Sequence, residues 1–195
     1  MSEEHWKTNI DWNNRPKVNW DNRLEVIEKI QDNDMVDFYI APDYIKKDKS
    51  LIHLAASYDL NNFEYAHNEL KCDKEFIKEL LITHKNKYDT YAIMYDIDDK
   101  LLNDKEFIKE LILLDNEILN YHLKNNFIGR FLGDKDFILF AIKINIEVFN
   151  YIPDELKNNK KFMLEMLKVN FDVLKNIAIY HFEDDLSKWY YKYKY

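Results

Sequence analysis

Eight residues, Asp73-Lys74-Glu75-Phe76-Ile77-Lys78-Glu79-Leu80, recur without a change as Asp104-Lys105-Glu106-Phe107-Ile108-Lys109-Glu110-Leu111. Looser copies open at Asp48-Lys49-Ser50-Leu51-Ile52-His53, at Asp134-Lys135-Asp136-Phe137-Ile138-Leu139 and at Asn159-Lys160-Lys161-Phe162-Met163-Leu164. A segment spelled this often is a building unit rather than a single site, so the fold must offer one equivalent place per copy. Measured on Leu51, Phe76, Phe107, Phe137 and Phe162, the spacings are 25, 31, 30 and 25 residues. That is the period range of helical solenoids.

The chemistry inside each copy is that of a helix start. The leading Asp or Asn can accept the unpaired amide protons of a first turn, and a carboxylate there sits at the positive end of the helix dipole. Phe76, Ile77, Leu80 and Leu81 then fall on one stripe, as do Phe107, Ile108, Leu111 and Ile112, with Lys and Glu expected on a solvated opposite face. A second apolar segment follows each first helix: Phe63-Glu64-Tyr65-Ala66, Ile118-Leu119-Asn120-Tyr121, Val148-Phe149-Asn150-Tyr151-Ile152, and Val173, Leu174, Ile177 and Ala178. Neither short segment can bury its stripe alone, so neighbouring units must stack. Only two Gly and three Pro residues are present, which starves strand-and-turn folds of their turn residues. The expected fold is therefore all-α, an α-solenoid of about six short helix-pair repeats with capping segments at both ends.

The repeat domain is expected over residues 21–185. Residues 1–20 carry Trp6, Trp12 and Trp20 and read as an N-terminal cap, where Ile10-Asp11-Trp12 and Val18-Asn19-Trp20 could pair as a short hairpin. Residues 186–195 alternate aromatic and basic side chains from Leu186 to Tyr195 and read as a C-terminal cap or tail; the alternative is stacking on single-stranded nucleic acid. The first unit has Leu24, Val26, Ile27 and Ile30 in its first helix, but Glu28 falls where Leu80 would align. Ala41-Pro42-Asp43-Tyr44-Ile45-Lys46 returns downstream as Ile152-Pro153-Asp154-Glu155-Leu156-Lys157, each Pro suited to opening a short helical turn.

The formal net charge of −8 comes from 28 Lys and Arg against 36 Asp and Glu, which disfavours direct nucleic-acid binding and favours a protein partner with a basic surface. A single cysteine, Cys72, excludes an internal disulfide framework and suits a reducing compartment. No apolar run reaches the length of a membrane span and the N-terminus lacks a signal-peptide pattern, so the expectation is a cytoplasmic protein without a membrane partner. No phosphate-binding loop or His-Glu-x-x-His motif occurs, and Asp96-Ile97-Asp98-Asp99 lacks the glycine and distal Glu of a calcium loop. No cofactor, metal or catalytic residue is expected, and the protein is read as not an enzyme. The competing reading is a hydrolase whose site converges from distant units, with His67, Glu69 and His122 as its candidate groups.

Departures from the period point to function. The third and fourth units are longer than their neighbours, with the surplus near Tyr88 to Asp99 and near Lys124 to Arg130. Insertions in solenoids map to loops or lengthened helices on one face, often the binding face. Tyr88, Tyr91 and Tyr95 are spaced for one side of a helix, with Asp89, Asp96, Asp98 and Asp99 around them. With Tyr121, Asn125 and Arg130 they make the candidate partner-binding set, because Tyr is enriched among interface anchors and carboxylates complement a basic partner. Period alone leaves open whether these Tyr residues are interface or core.

The pattern Leu-x-x-Asp-Lys-Glu-Phe followed by a second helix resembles an uncharacterised family of short helical repeats described only as a domain of unknown function, found in bacteria, protists and large viruses. The resemblance runs from about Asp21 to Asp185 and is strongest at Leu70 to Leu80 and Leu101 to Leu111. It implies an all-helical fold and says nothing about catalysis. In size and composition the chain also looks like anti-CRISPR proteins of mobile elements in AT-rich bacteria, which implies an inhibitor of a guide-RNA nuclease complex. An adaptor of the host cell is the alternative.

Overall fold

The computed structural model describes residues 17–32, 35–84, 90–124 and 128–173, without the side chains of residues 35–37, 91, 92 and 124. Among the described residues every regular element is helical and no strand occurs. The chain divides into two compact units, Met1–Leu70 and Lys71–Tyr195, a boundary inside the stretch that the sequence assigns to the repeats.

The first unit contains α1 (Arg23–Gln31), a 3-10 segment Met35–Ile40, α2 (Asp43–Lys46), α3 (Lys49–Tyr58) and a 3-10 segment Leu60–Tyr65; α4 (Asn68–Lys71) straddles the boundary. Val26 and Ile30 from α1 meet Phe38, Ala41, Ile45, Leu51 and Ala55 in one core. Trp20 packs edge-on against Phe38, with ring centroids 5.6 Å apart, so this tryptophan of the expected N-terminal cap joins the core. The rest of the expected hairpin, up to Pro16, lies outside the described residues. Leu24 is 71% exposed and does not share the α1 stripe with Val26 and Ile30. The register explains this: Asn22 holds the N-cap position of α1, without a side-chain cap bond, so Leu24 takes the outward place of Glu75 and Glu106.

The second unit runs α5 (Lys74–His84), a 3-10 segment Thr90–Tyr95, α6 (Asp99–Leu102), α7 (Lys105–Leu114), α8 (Glu117–Lys124), a 3-10 segment Ile128–Phe131, α9 (Lys135–Ile144), α10 (Val148–Tyr151), α11 (Asp154–Lys157), α12 (Lys160–Val169) and a 3-10 turn Phe171–Val173. Helix α5 packs on α7, α7 on α9 and α9 on α12, with α8 against the Thr90–Tyr95 segment. The buried stripes are those read from the sequence: Phe76, Ile77, Leu80 and Leu81 on α5; Phe107, Ile108, Leu111 and Ile112 on α7. The helix pair of the sequence reading is, in detail, a trio. A four-residue turn (α2, α4, α6 or α11) precedes the long helix, and the segment after it is mostly 3-10 or a single α turn.

Both ends of the long helices are set by Asp and Asn. The Asp104 side chain accepts from the amides of Glu106 and Phe107, at 3.1 Å each; Asp134 and Asn159 accept from Phe137 and Phe162 at 3.0 Å. At the other end, Asp59, Asp115, Asn145 and Asn170 adopt extended backbone, which stops the helix. Each then accepts the amide two residues on, starting the next segment. Each lies eleven positions after its unit's cap; in the third unit that place is His84, and the chain there is the stretched one.

In several motifs the cation after the cap is tied to the next helix rather than left on a solvated face. Lys74 Nζ donates to Asp104 of the next repeat at 2.5 Å and lies 5.2 Å from the centre of the Phe107 ring. Lys105 Nζ donates to Asp134 at 2.7 Å, Lys135 Nζ lies over Phe162, and in the first unit Arg23 donates to Asp48. The cap carboxylate thus holds its own helix start and the preceding helix together. Solvent screens pairs this exposed, so the ladder fixes register more than stability.

The ladder titrates. Desolvation pushes Asp48 up, but hydrogen bonds from Arg23, Ser50 and the Leu51 amide outweigh it and hold its pKa down at about 2, against an ordinary 3.8. The Lys74 hydrogen bond lowers Asp104, and the Lys105 hydrogen bond lowers Asp134. Depressed folded-state values mean stability that is present above the ordinary carboxylate pKa and lost as pH falls through the folded one. Urea midpoints are expected to drop as pH falls from 3.8 towards about 2, and Asp48→Asn to remove part of the drop. Equal pH slopes for the two proteins would exclude this origin.

Candidate functional site

Ten residues make up the candidate set, and the structure separates them into distinct roles. Tyr88, Asp89 and Asn125 lie outside the described residues, and Tyr91 enters through its backbone alone, in the Thr90–Tyr95 segment. Tyr95 is 60% exposed, and its hydroxyl stands 3.2 Å from that of half-buried Tyr121 on α8. Both rings lie edge-on to the buried imidazole of His122, with centroids at 6.0 and 5.1 Å. The pair is therefore a surface feature seated on a core residue. Thr90 ties the same segment to the α7–α8 junction by donating to Asp115 at 2.5 Å.

The carboxylates are partly committed to the fold. Asp96 sits 3.5 Å from Lys71 Nζ, with both side chains largely buried. Asp98 caps α6 by accepting from the Lys100 amide, while its own amide donates to the Lys71 carbonyl at 3.1 Å. Asp99 is exposed. Arg130 donates at 2.7 Å to Asn103, whose side-chain amide donates to the Asp99 carbonyl, so Arg130 is anchored at the C-terminal end of α6. Of the set, then, Tyr95 meets Tyr121 and Arg130 meets the α6 turn, while Asp96 and Asp98 hold the backbone between them.

The remaining reactive groups have structural surroundings. Desolvation, then the Asp98 carboxylate, pushes the Cys72 thiol up, away from the thiolate needed for nucleophilic chemistry. His67 Nδ1 accepts from the Glu69 amide at 3.2 Å, leaving Nε2 facing Asp43 at 3.9 Å, and Glu69 pairs with Lys47 at 2.7 Å. Among the described residues no group of three or more His, Cys, Asp or Glu side chains could hold a metal ion, and no helix is long and apolar enough to cross a membrane.

The stretch from α9 to the Phe171–Val173 turn repeats the plan of cap, long helix and short turn twice, on α9 and on α12. Residues 134–182 match the model of a family described as a domain of unknown function, DUF4116. The resemblance read from the Leu-x-x-Asp-Lys-Glu-Phe units thus holds for this segment, which covers less than half of the chain. No curated protein and no solved structure matches the chain.

Within the matched segment, Lys157 is buried, donates to the Asn150 carbonyl at 3.3 Å and lies 5.5 Å from the Phe149 ring centre. Its counterpart Lys46, outside that segment, donates to the Tyr39 carbonyl at 2.8 Å. In both Pro-Asp motifs the lysine reaches seven residues back to fasten the turn. Sequence reasoning assigned these lysines, and the cation after each cap, no role. The available signal was the recurrence of Lys49, Lys74, Lys105, Lys135 and Lys160 directly after the cap, because a merely solvated face does not require the same charge at the same place.

Proposed function

We propose that the chain is a non-catalytic protein-interaction module, an α-solenoid of about six short helical repeats whose acidic, Tyr-bearing surface takes a basic protein. Exposed Tyr95, oriented by Tyr121 and by buried His122, is the observation that carries the reading. A rigid aromatic held at the surface by its neighbours binds with little loss of side-chain entropy. Ladder contacts between helices that start about one unit apart, such as Lys74 with Asp104 and Lys105 with Asp134, support the repeat architecture. The net charge of −8 favours a partner that itself binds nucleic acid, and the specific reading is an inhibitor that occupies the basic channel of a guide-RNA nuclease.

Affinity capture from an AT-rich bacterial host at low and high salt tests this. A nuclease or guide-RNA complex is expected on the protein at low salt and reduced at high salt. Tyr95→Ala is expected to weaken its retention roughly tenfold without changing the melting temperature. Recovery of a non-nuclease partner would replace the inhibitor reading with that of a cellular adaptor. Retention unchanged by Tyr95→Ala would remove the tyrosine pair from the interface.

A further inference from the structure

Helices α5 and α7 present the same outward crest. Glu75, Glu79 and Ile82 lie at i, i+4 and i+7 on α5, and Glu106, Glu110 and Leu113 hold the equivalent places on α7. Lys74 bridging to Asp104 and Lys78 to Glu110 align the two helices in parallel, which gives Ile82 and Leu113 equivalent outward places one turn beyond the second bridge. Ile82 is 60% and Leu113 68% exposed, where solvation of large aliphatic side chains gives the monomer nothing. The crest also has a sign. The side chains of Lys78 and Lys109 are only 24% and 17% exposed, while those of Glu75, Glu106 and Glu110 are 83%, 70% and 53% exposed; Lys78 pairs with Glu75 and Glu110 and Lys109 with Glu106 from beside the helices, two cations against the four carboxylates of the crest, whose exposed side chains project beyond them. The pattern stops after α7: Lys143 on α9 and Lys168 on α12 take the place of the aliphatic residue.

We infer that the α5–α7 crest docks a basic amphipathic segment of a partner protein, whose aliphatic residues cover Ile82 and Leu113 and whose Lys or Arg side chains meet the projecting Glu crest. Charge complementarity selects this occupant over a second copy of the chain, since two chains of net charge −8 repel. The inference rests on the protein-binding reading but places the apolar anchor on the long-helix crest rather than on Tyr95.

The test is fluorescence anisotropy with a labelled synthetic helical peptide carrying Leu on one face and Lys on the other, beside versions with Lys changed to Glu or Leu changed to Ser. The full chain is expected to bind only the Leu/Lys peptide. Ile82→Ser with Leu113→Ser is expected to weaken that binding roughly tenfold, the loss of two aliphatic contacts. Glu79→Lys with Glu110→Lys acts similarly through charge, Tyr95→Ala leaves binding unchanged, and circular dichroism confirms that every variant is folded. Unchanged binding by both double variants overturns the proposal, as does binding lost only with Tyr95→Ala, which would leave the protein-binding reading standing. A dimer in sedimentation that the Ile82→Ser, Leu113→Ser variant dissolves would make a second copy the occupant and overturn it equally.

Discussion

Phe107→Ala is expected to destabilise the protein by about 3–5 kcal/mol, the range for truncating a buried aromatic side chain. Phe107 is 1% exposed, its amide is held by the Asp104 cap, and its ring lies under the Lys74 ammonium of the preceding helix. Truncation opens a void at the α5–α7 contact, where helices this short have little other buried surface to offset it. Cooperative unfolding in urea, read by circular dichroism, is the measurement. An unchanged midpoint would place Phe107 outside the core.

Asp104→Ala follows, at about 1–2 kcal/mol, because an N-cap is removed together with the acceptor for Lys74. The two parts separate by substitution. Asp104→Asn keeps a capping oxygen and loses the charge, so it is expected to cost well under the alanine change. Glu106→Ala, two residues on with its side chain 70% exposed, is expected to stay within about 0.5 kcal/mol. Should Asn and Ala cost the same, the ion pair rather than the cap would be the larger part.

The cap and stripe of the octapeptide were legible because both are local: Asp104 reaches an amide two or three residues on, and Phe107, Ile108, Leu111 and Ile112 share a face by helical period alone. The role of Lys74 was not, since its acceptor lies 30 residues along the chain and only packing brings it near. The first unit's register was ambiguous from letters and became definite when Asn22 proved to precede α1, placing Leu24 outside and Val26 inside. The candidate tyrosines show the same limit. Nothing in their spacing separates Tyr95, exposed, from His122 beneath it, buried, because which side of a short 3-10 segment faces the core depends on the helix that packs against it.

By itself, then, the sequence determined the helical class, the helix starts and the apolar stripes, since these follow from interactions within a dozen residues. Tertiary structure alone decided which charged residues are ladder rungs and which project. It took Asp96 and Asp98 from the candidate surface into the backbone scaffold, and it left Ile82 and Leu113 exposed on the crests of α5 and α7. Those assignments depend on which helix lies beside which, and a contact across 25 to 32 residues shows in the letters at most as a charge kept at one place in the repeat, without its partner.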